Sequence, residues 1–127
     1  MEKELADFAD RLDNIRQKVA IDLASRIQCQ LRDLGMPNGR FIFGVKRVNQ
    51  FTANGCNEVS FLFSANTGED IRPLHKVASG GELSRIALAI QTVCAANERV
   101  GSMVFDEVDA GIGGKTAQMV AEKIAQV

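Results

Sequence analysis

The sequence predicts an α/β domain led by a long helix, and three patterns carry that prediction. Apolar residues recur at three- and four-residue steps from Leu5 to Leu31, then alternate over two short segments. Last come two helix-spaced stripes that flank a short apolar run ending in two carboxylates. The expected order is helix, β-hairpin, helix, strand, helix.

In the first helix, Leu5, Phe8, Leu12, Ile15 and Val19 lie at the spacing of a coiled-coil seam. Leu23, Ile27 and Leu31 then step by four, which suits a helix leaving a supercoil to pack on a globular head. Too few heptads are sustained to exclude a plain amphipathic surface helix. Gly35, Met36, Pro37, Asn38 and Gly39 end it, so residues 1–37 are expected to form the end of a stem and 38–127 the head. Phe41, Phe43 and Val45, followed by Val59, Phe61 and Phe63 across a polar stretch with Asn54 and Gly55, predict a β-hairpin or meander. Its phenylalanines are expected in the core rather than stacked on bases, since little basic residue is interleaved with them. After a loop over 66–76, Leu83, Ile86, Ala87, Ile90, Val93 and Cys94 predict the inward face of a helix ending near Asn97. A strand is expected to reach Asp106. A last helix after Gly114 is expected to turn Met119, Val120, Ile124 and Val127 inward.

A chain of 127 residues, 46% of them hydrophobic, fits one modest domain. A formal charge of −1 gives no global basic signal, so contact with DNA would need a local patch or further parts of a larger protein. Cys29, Cys56 and Cys94 are odd in number and widely spaced, which fits reduced thiols in a cytoplasmic protein. With neither a signal peptide nor an apolar run of membrane-spanning length, a soluble intracellular protein is expected and no membrane partner. His75, without a second histidine or clustered cysteines, reads as a loop residue rather than a metal ligand.

Two motifs carry chemistry. In Ser79, Gly80, Gly81 and Glu82, two glycines let backbone approach a ligand, and the helix they open presents amides that favour an anionic phosphate. The same residues also fit a capping box, Ser79 and Glu82 each satisfying the other's backbone. In Met103, Val104, Phe105, Asp106 and Glu107, a strand would deliver two carboxylates at its carboxyl end, where α/β sheets place ligand chemistry. Adjacent strand residues point to opposite faces, so one carboxylate could serve magnesium and the other an attacking water. The alternative is a pair of solvated residues at a strand end. The glycine-rich stretch from Asp109 to Gly114 leaves room for a ligand. A phosphate-cradling glycine-lysine-hydroxyl loop is missing: Gly114, Lys115 and Thr116 would need a glycine where Asp109 stands, and they read as the start of the last helix.

The run from Val77 to Arg85, together with Phe105 to Ile112 and the upstream segment from Glu58 to Gly68, resembles the RecN family of bacterial DNA repair proteins, which are ABC-type ATPases related to SMC proteins. The resemblance implies the C-terminal part of a P-loop-like ATPase head, without its Walker A segment and stopping before the far end of the head. It implies that Ser79, Gly80, Gly81 and Glu82 form the signature that contacts the γ-phosphate of ATP held by a second head. Asp106 would be the Walker B aspartate organising Mg2+, and Glu107 the catalytic carboxylate that orients or deprotonates water. Asp109, Ala110, Gly111, Ile112 and Gly113 would be the loop crossing the head-to-head interface; many relatives have an aspartate where Gly113 stands. The implied cofactors are ATP and Mg2+. The implied partners are a second head in a homodimer, the N-terminal Walker A part of the same protein, and DNA through the whole molecule. The implied setting is cytoplasmic and nucleoid-associated, in double-strand break repair and recombination, with no ATPase activity in this segment alone. Two other classes stay open: a helix-mediated interaction module without an ATP cycle, and a metal-dependent hydrolase built on Asp106, Glu107 and Asp109.

Overall fold

The computed structural model describes residues 2–76, 79–94 and 102–127. Helix α1 runs over Glu2–Asp33 and stops where the sequence supplies a left-handed residue: Gly35 has φ 80°. The Met36 amide donates to the Leu31 carbonyl at 2.9 Å and the Gly35 amide to that of Arg32 at 3.3 Å. These two bonds form a Schellman cap, with Met36 and Leu31 both buried as its apolar contact.

Strands β1 (Arg40–Thr52) and β2 (Gly55–Ser64) form the antiparallel hairpin, and the two-residue strand β3 (Arg72–Pro73) adds to the far side of β2. Period-two alternation sets the register: Phe41 pairs with Phe63, Phe43 with Phe61 and Val45 with Val59, all on one face. The Phe41 and Phe43 rings meet edge to face at 5.1 Å. Helix α1 packs along β1 and β2. Arg16 donates to Asn57 at 3.0 Å, Asn57 donates to Asp13 at 2.7 Å, and Arg47 pairs with Asp10, tethering the outer half of the ribbon to the helix. The hydrogen bond and charge of Asp10 hold the Arg47 guanidinium above its ordinary pKa.

Helices α2 (Gly80–Cys94) and α3 (Gly114–Ile124) close the other end. Ile27, Leu31, Leu34, Phe41, Phe63, Ile86, Leu88, Ala89 and Val120 form the core between these elements and the base of the hairpin. Lys123 joins α3 to α1 through Asp33, at 3.4 Å, and through Gln30. All three cysteines are free. No helix among the described residues is long and apolar enough to cross a membrane.

Four expectations need correction. Residues 102–105 join no sheet, and Val104 is 94% exposed; a strand exists only with a neighbouring strand to bond to, and no described strand pairs with this segment. The buried face of α2 comprises Gly81, Arg85, Ile86, Leu88, Ala89 and Val93, so it is rotated away from Leu83 and Ala87, which are exposed. On α3 Val120 is buried, but Ile124 is 40% exposed and Val127 lies beyond the helix on the surface. Val59 and Phe61 lie where the hairpin face outruns the core, and both are about half exposed. The expected end of α2 near Asn97 falls outside the described residues.

Candidate functional site

Helix α2 begins with a complete capping box. The Ser79 amide donates to the Glu82 carboxylate at 3.2 Å, and the Glu82 amide donates to Ser79 Oγ at 3.4 Å. Local capping therefore fully accounts for the side chains of Ser79 and Glu82. It leaves the backbone of the two glycines: Gly80 exposed, Gly81 buried, at the helix end that carries partial positive charge. Val77 and Ala78, which precede them in the motif, lie outside the described residues.

Asp106 and Glu107 open an exposed loop that runs to Gly113, just before α3. Glu107 has φ 53°, the one left-handed non-glycine residue among those described. Such a backbone costs on the order of 1–3 kcal/mol and persists where surrounding contacts hold it. The opposite-face argument for the two carboxylates required an extended strand, and this bend replaces it. The loop then turns tightly, the Ala110 amide donating to the Glu107 carbonyl at 2.9 Å and the Ile112 amide to that of Asp109 at 3.3 Å. Asp106, Glu107, Asp109, Ala110, Gly111 and Gly113 are exposed, while Ile112 packs against the core.

The two motifs touch. A side chain at Gly80 would strike the Glu107 carboxylate, and one at Gly81 would lie 2.9 Å from both the Glu107 carbonyl oxygen and the Ala110 Cβ. The acidic loop of the same chain thus requires glycine at position 81, whereas at position 80 only the flexible Glu107 side chain is in the way, and the Glu107 carboxylate lies at the favourable end of the α2 dipole. Two residues that the motifs do not include complete the junction. Ser84 Oγ donates to the Asp106 carbonyl, and Arg85 Nη1 donates to the carbonyls of Val108 at 3.3 Å and Ala110 at 2.9 Å. The legible signal was position: Arg85 falls four residues from Gly81 and from Ala89, on the buried stripe.

Among the described residues no three of His, Cys, Asp or Glu are grouped to hold a metal ion, so Asp106, Glu107 and Asp109 form no self-contained metal site. A single exposed carboxylate such as Asp106 does fit magnesium, which keeps several waters and takes its remaining ligands from substrate phosphates. His75 sits in a short 3₁₀ turn, Leu74–Lys76, away from this loop in sequence. Lys115 and Thr116 lie in the first turn of α3, and the Thr116 methyl group faces Gly35.

No protein-family model matches the chain. Among curated proteins it is 44% identical over 124 residues to DNA repair protein RecN of Deinococcus radiodurans, covering 98% of this chain and 22% of that protein. It is 40% identical over 140 residues to DNA repair protein RecN of Bacillus subtilis (98% of this chain, 24% of that protein) and 43% identical over 120 residues to that of Halalkalibacterium halodurans (91% and 21%). The chain therefore spans between a fifth and a quarter of the length of these relatives.

Proposed function

Because the chain belongs to the RecN family of DNA repair proteins, we propose that it supplies one face of an ATP-hydrolysing head in a DNA repair protein. The single observation that carries this reading is the exposed junction at which a glycine-opened helix end meets two carboxylates within one chain. In the proposed cycle the amides of Gly80 and Gly81, framed by the Ser79 and Glu82 cap, stabilise the γ-phosphate of ATP held by a second head. Asp106 holds magnesium through water, and Glu107 orients or deprotonates the attacking water. Magnesium, when bound, neutralises charge developing on the β and γ phosphate oxygens. The loop from Asp109 to Gly113 lies at the head-to-head interface, with Gly113 leaving no side chain to cross it. Because nucleotide joins the heads, ATP binding and dimer closure are thermodynamically coupled.

The phosphate cradle must come from a Walker A segment elsewhere in the protein, and α2 offers it a seat. A groove of about 290 Å³ between α2 and residues 103–105 is lined by Leu83, Gln91 and Val104. Gln91 Oε1 is buried there with no hydrogen-bond partner and Val104 is almost wholly uncovered, as expected of a surface that another segment covers. DNA would be engaged by the whole molecule, in a cytoplasmic setting on the nucleoid. The interaction-module reading draws on one feature, the exposed stripe of Leu5, Phe8, Ile15 and Val19 on α1, which equally suits a stem helix that pairs with another.

The deciding test is Glu107→Gln in a protein of the relatives' full length. ATP-dependent head association should persist while hydrolysis slows by about a hundredfold or more. Turnover at the unsubstituted rate would overturn the assignment.

A further inference from the structure

We propose that Arg85 is the positioning residue of this site, a buried guanidinium that fixes the course of the acidic loop and locks it to the helix end that receives phosphate. The proposal rests on the ATPase reading above and adds a residue and a coupling to it. Arg85 is 6% exposed, and among the described residues no carboxylate pairs with it. Its Nε has no partner, and its polar contacts among the described residues are the two carbonyls of Val108 and Ala110. A buried cation without an anion is costly, and an aliphatic side chain would fill such a position at less expense if packing were its only duty. What the guanidinium does here is draw two carbonyls inward on either side of Asp109, the shape the loop needs to turn from Glu107 toward α3.

Arg85 completes a set of four contacts from less than two turns of α2. Ser84 holds the Asp106 carbonyl, Gly81 packs against the Glu107 carbonyl, and Arg85 holds Val108 and Ala110. The helix start and the loop therefore move as one piece. In a two-headed cycle the helix start serves the partner's nucleotide and the loop's carboxylates serve the chain's own. A phosphate that pulls on Gly80 from the partner's side shifts Asp106 and Glu107 with it, so closure and alignment for hydrolysis are one event.

The test uses the full-length protein with Arg85→Met, Arg85→Lys and Glu107→Gln measured side by side. Arg85→Met is expected to lower kcat about tenfold or more, because small displacements of a reacting group carry such losses. KM for ATP should stay within about twofold, since binding rests on the phosphate cradle elsewhere. Arg85→Lys keeps the charge but loses the forked donor, and should fall between Arg85→Met and the unsubstituted protein. If Arg85→Met fails to fold, Arg85→Lys decides: unsubstituted kcat overturns the proposal, and a kcat loss of about threefold or more at unchanged KM supports it. A loss that falls mainly on KM, or full activity of Arg85→Met, also overturns it. If Glu107→Gln turns over at the unsubstituted rate, the ATPase reading itself has failed. If Glu107→Gln is slow while both Arg85 variants are fast, only the positioning role has.

Discussion

Gly80 and Gly81 are neighbours with different duties. A methyl group at Gly80 would meet the tip of the Glu107 side chain, which can swing into solvent because Glu107 is exposed. At Gly81 it would meet the Glu107 carbonyl and the Ala110 Cβ at 2.9 Å, with Arg85 Nη1 at 3.3 Å, and the first two can retreat only if the loop backbone moves with them. Alanine in the second position would gain about 1 kcal/mol of helix propensity but must push the acidic loop off α2. Gly81→Ala should therefore reduce ATP hydrolysis in the full-length protein about tenfold more than Gly80→Ala. Equal effects in a steady-state ATPase assay would show that the loop does not depend on this contact. The sequence made the order of glycines and carboxylates legible. It did not reveal that they touch in one chain, because that contact depends on which face α2 turns inward.

At the scale of elements, the parts written in local chemistry were the legible ones. The end of α1 follows from Gly35, and the pairing of Phe41 with Phe63 follows from period-two alternation about the turn at Asn54. The face of α2 was misread because Leu83 and Ala87 look like core residues and Arg85 does not, yet the helix turns its glycine and arginine toward the loop it must hold. The strand before Asp106 was misread because strands, unlike helices, are completed by their neighbours. Two glycines at helix ends give opposite predictions. Gly35→Ala forces a left-handed alanine and sets its methyl group 2.8 Å from the Thr116 side chain, so it should cost about 1–3 kcal/mol in urea unfolding. Gly113 caps α3 from extended backbone with no side-chain bond and nothing within 4 Å. Gly113→Asp should therefore stabilise by a few tenths of a kcal/mol, by capping α3 and complementing its dipole. A destabilised Gly113→Asp would mean that the N-terminus of α3 is already occupied.

For the molecule as a whole, the direction from which phosphate arrives is the strongest constraint. The Glu107 carboxylate stands beside Gly80 on the inner side of the junction, and the capping box closes the side toward Glu82. An anion reaching the amides must come from outside the chain, across the surface formed by Ser79, Gly80 and the loop through Gly111, all of it exposed except the buried Gly81 and the half-buried Val108. On the proposed two-head reading, association of the heads would depend on small side chains there, while nucleotide binding to one head would not. Ser79→Arg puts a long cation on that surface. Its local cost is the lost cap, about 1 kcal/mol, which a folded head tolerates. In the full-length protein, Ser79→Arg should still bind ATP to a single head by nucleotide titration, without the added affinity that dimer closure confers, yet fail to dimerise with ATP in analytical ultracentrifugation. Unchanged ATP-dependent dimerisation would mean that the heads meet on another face, and the junction of glycines and carboxylates would lose its claim to a shared nucleotide.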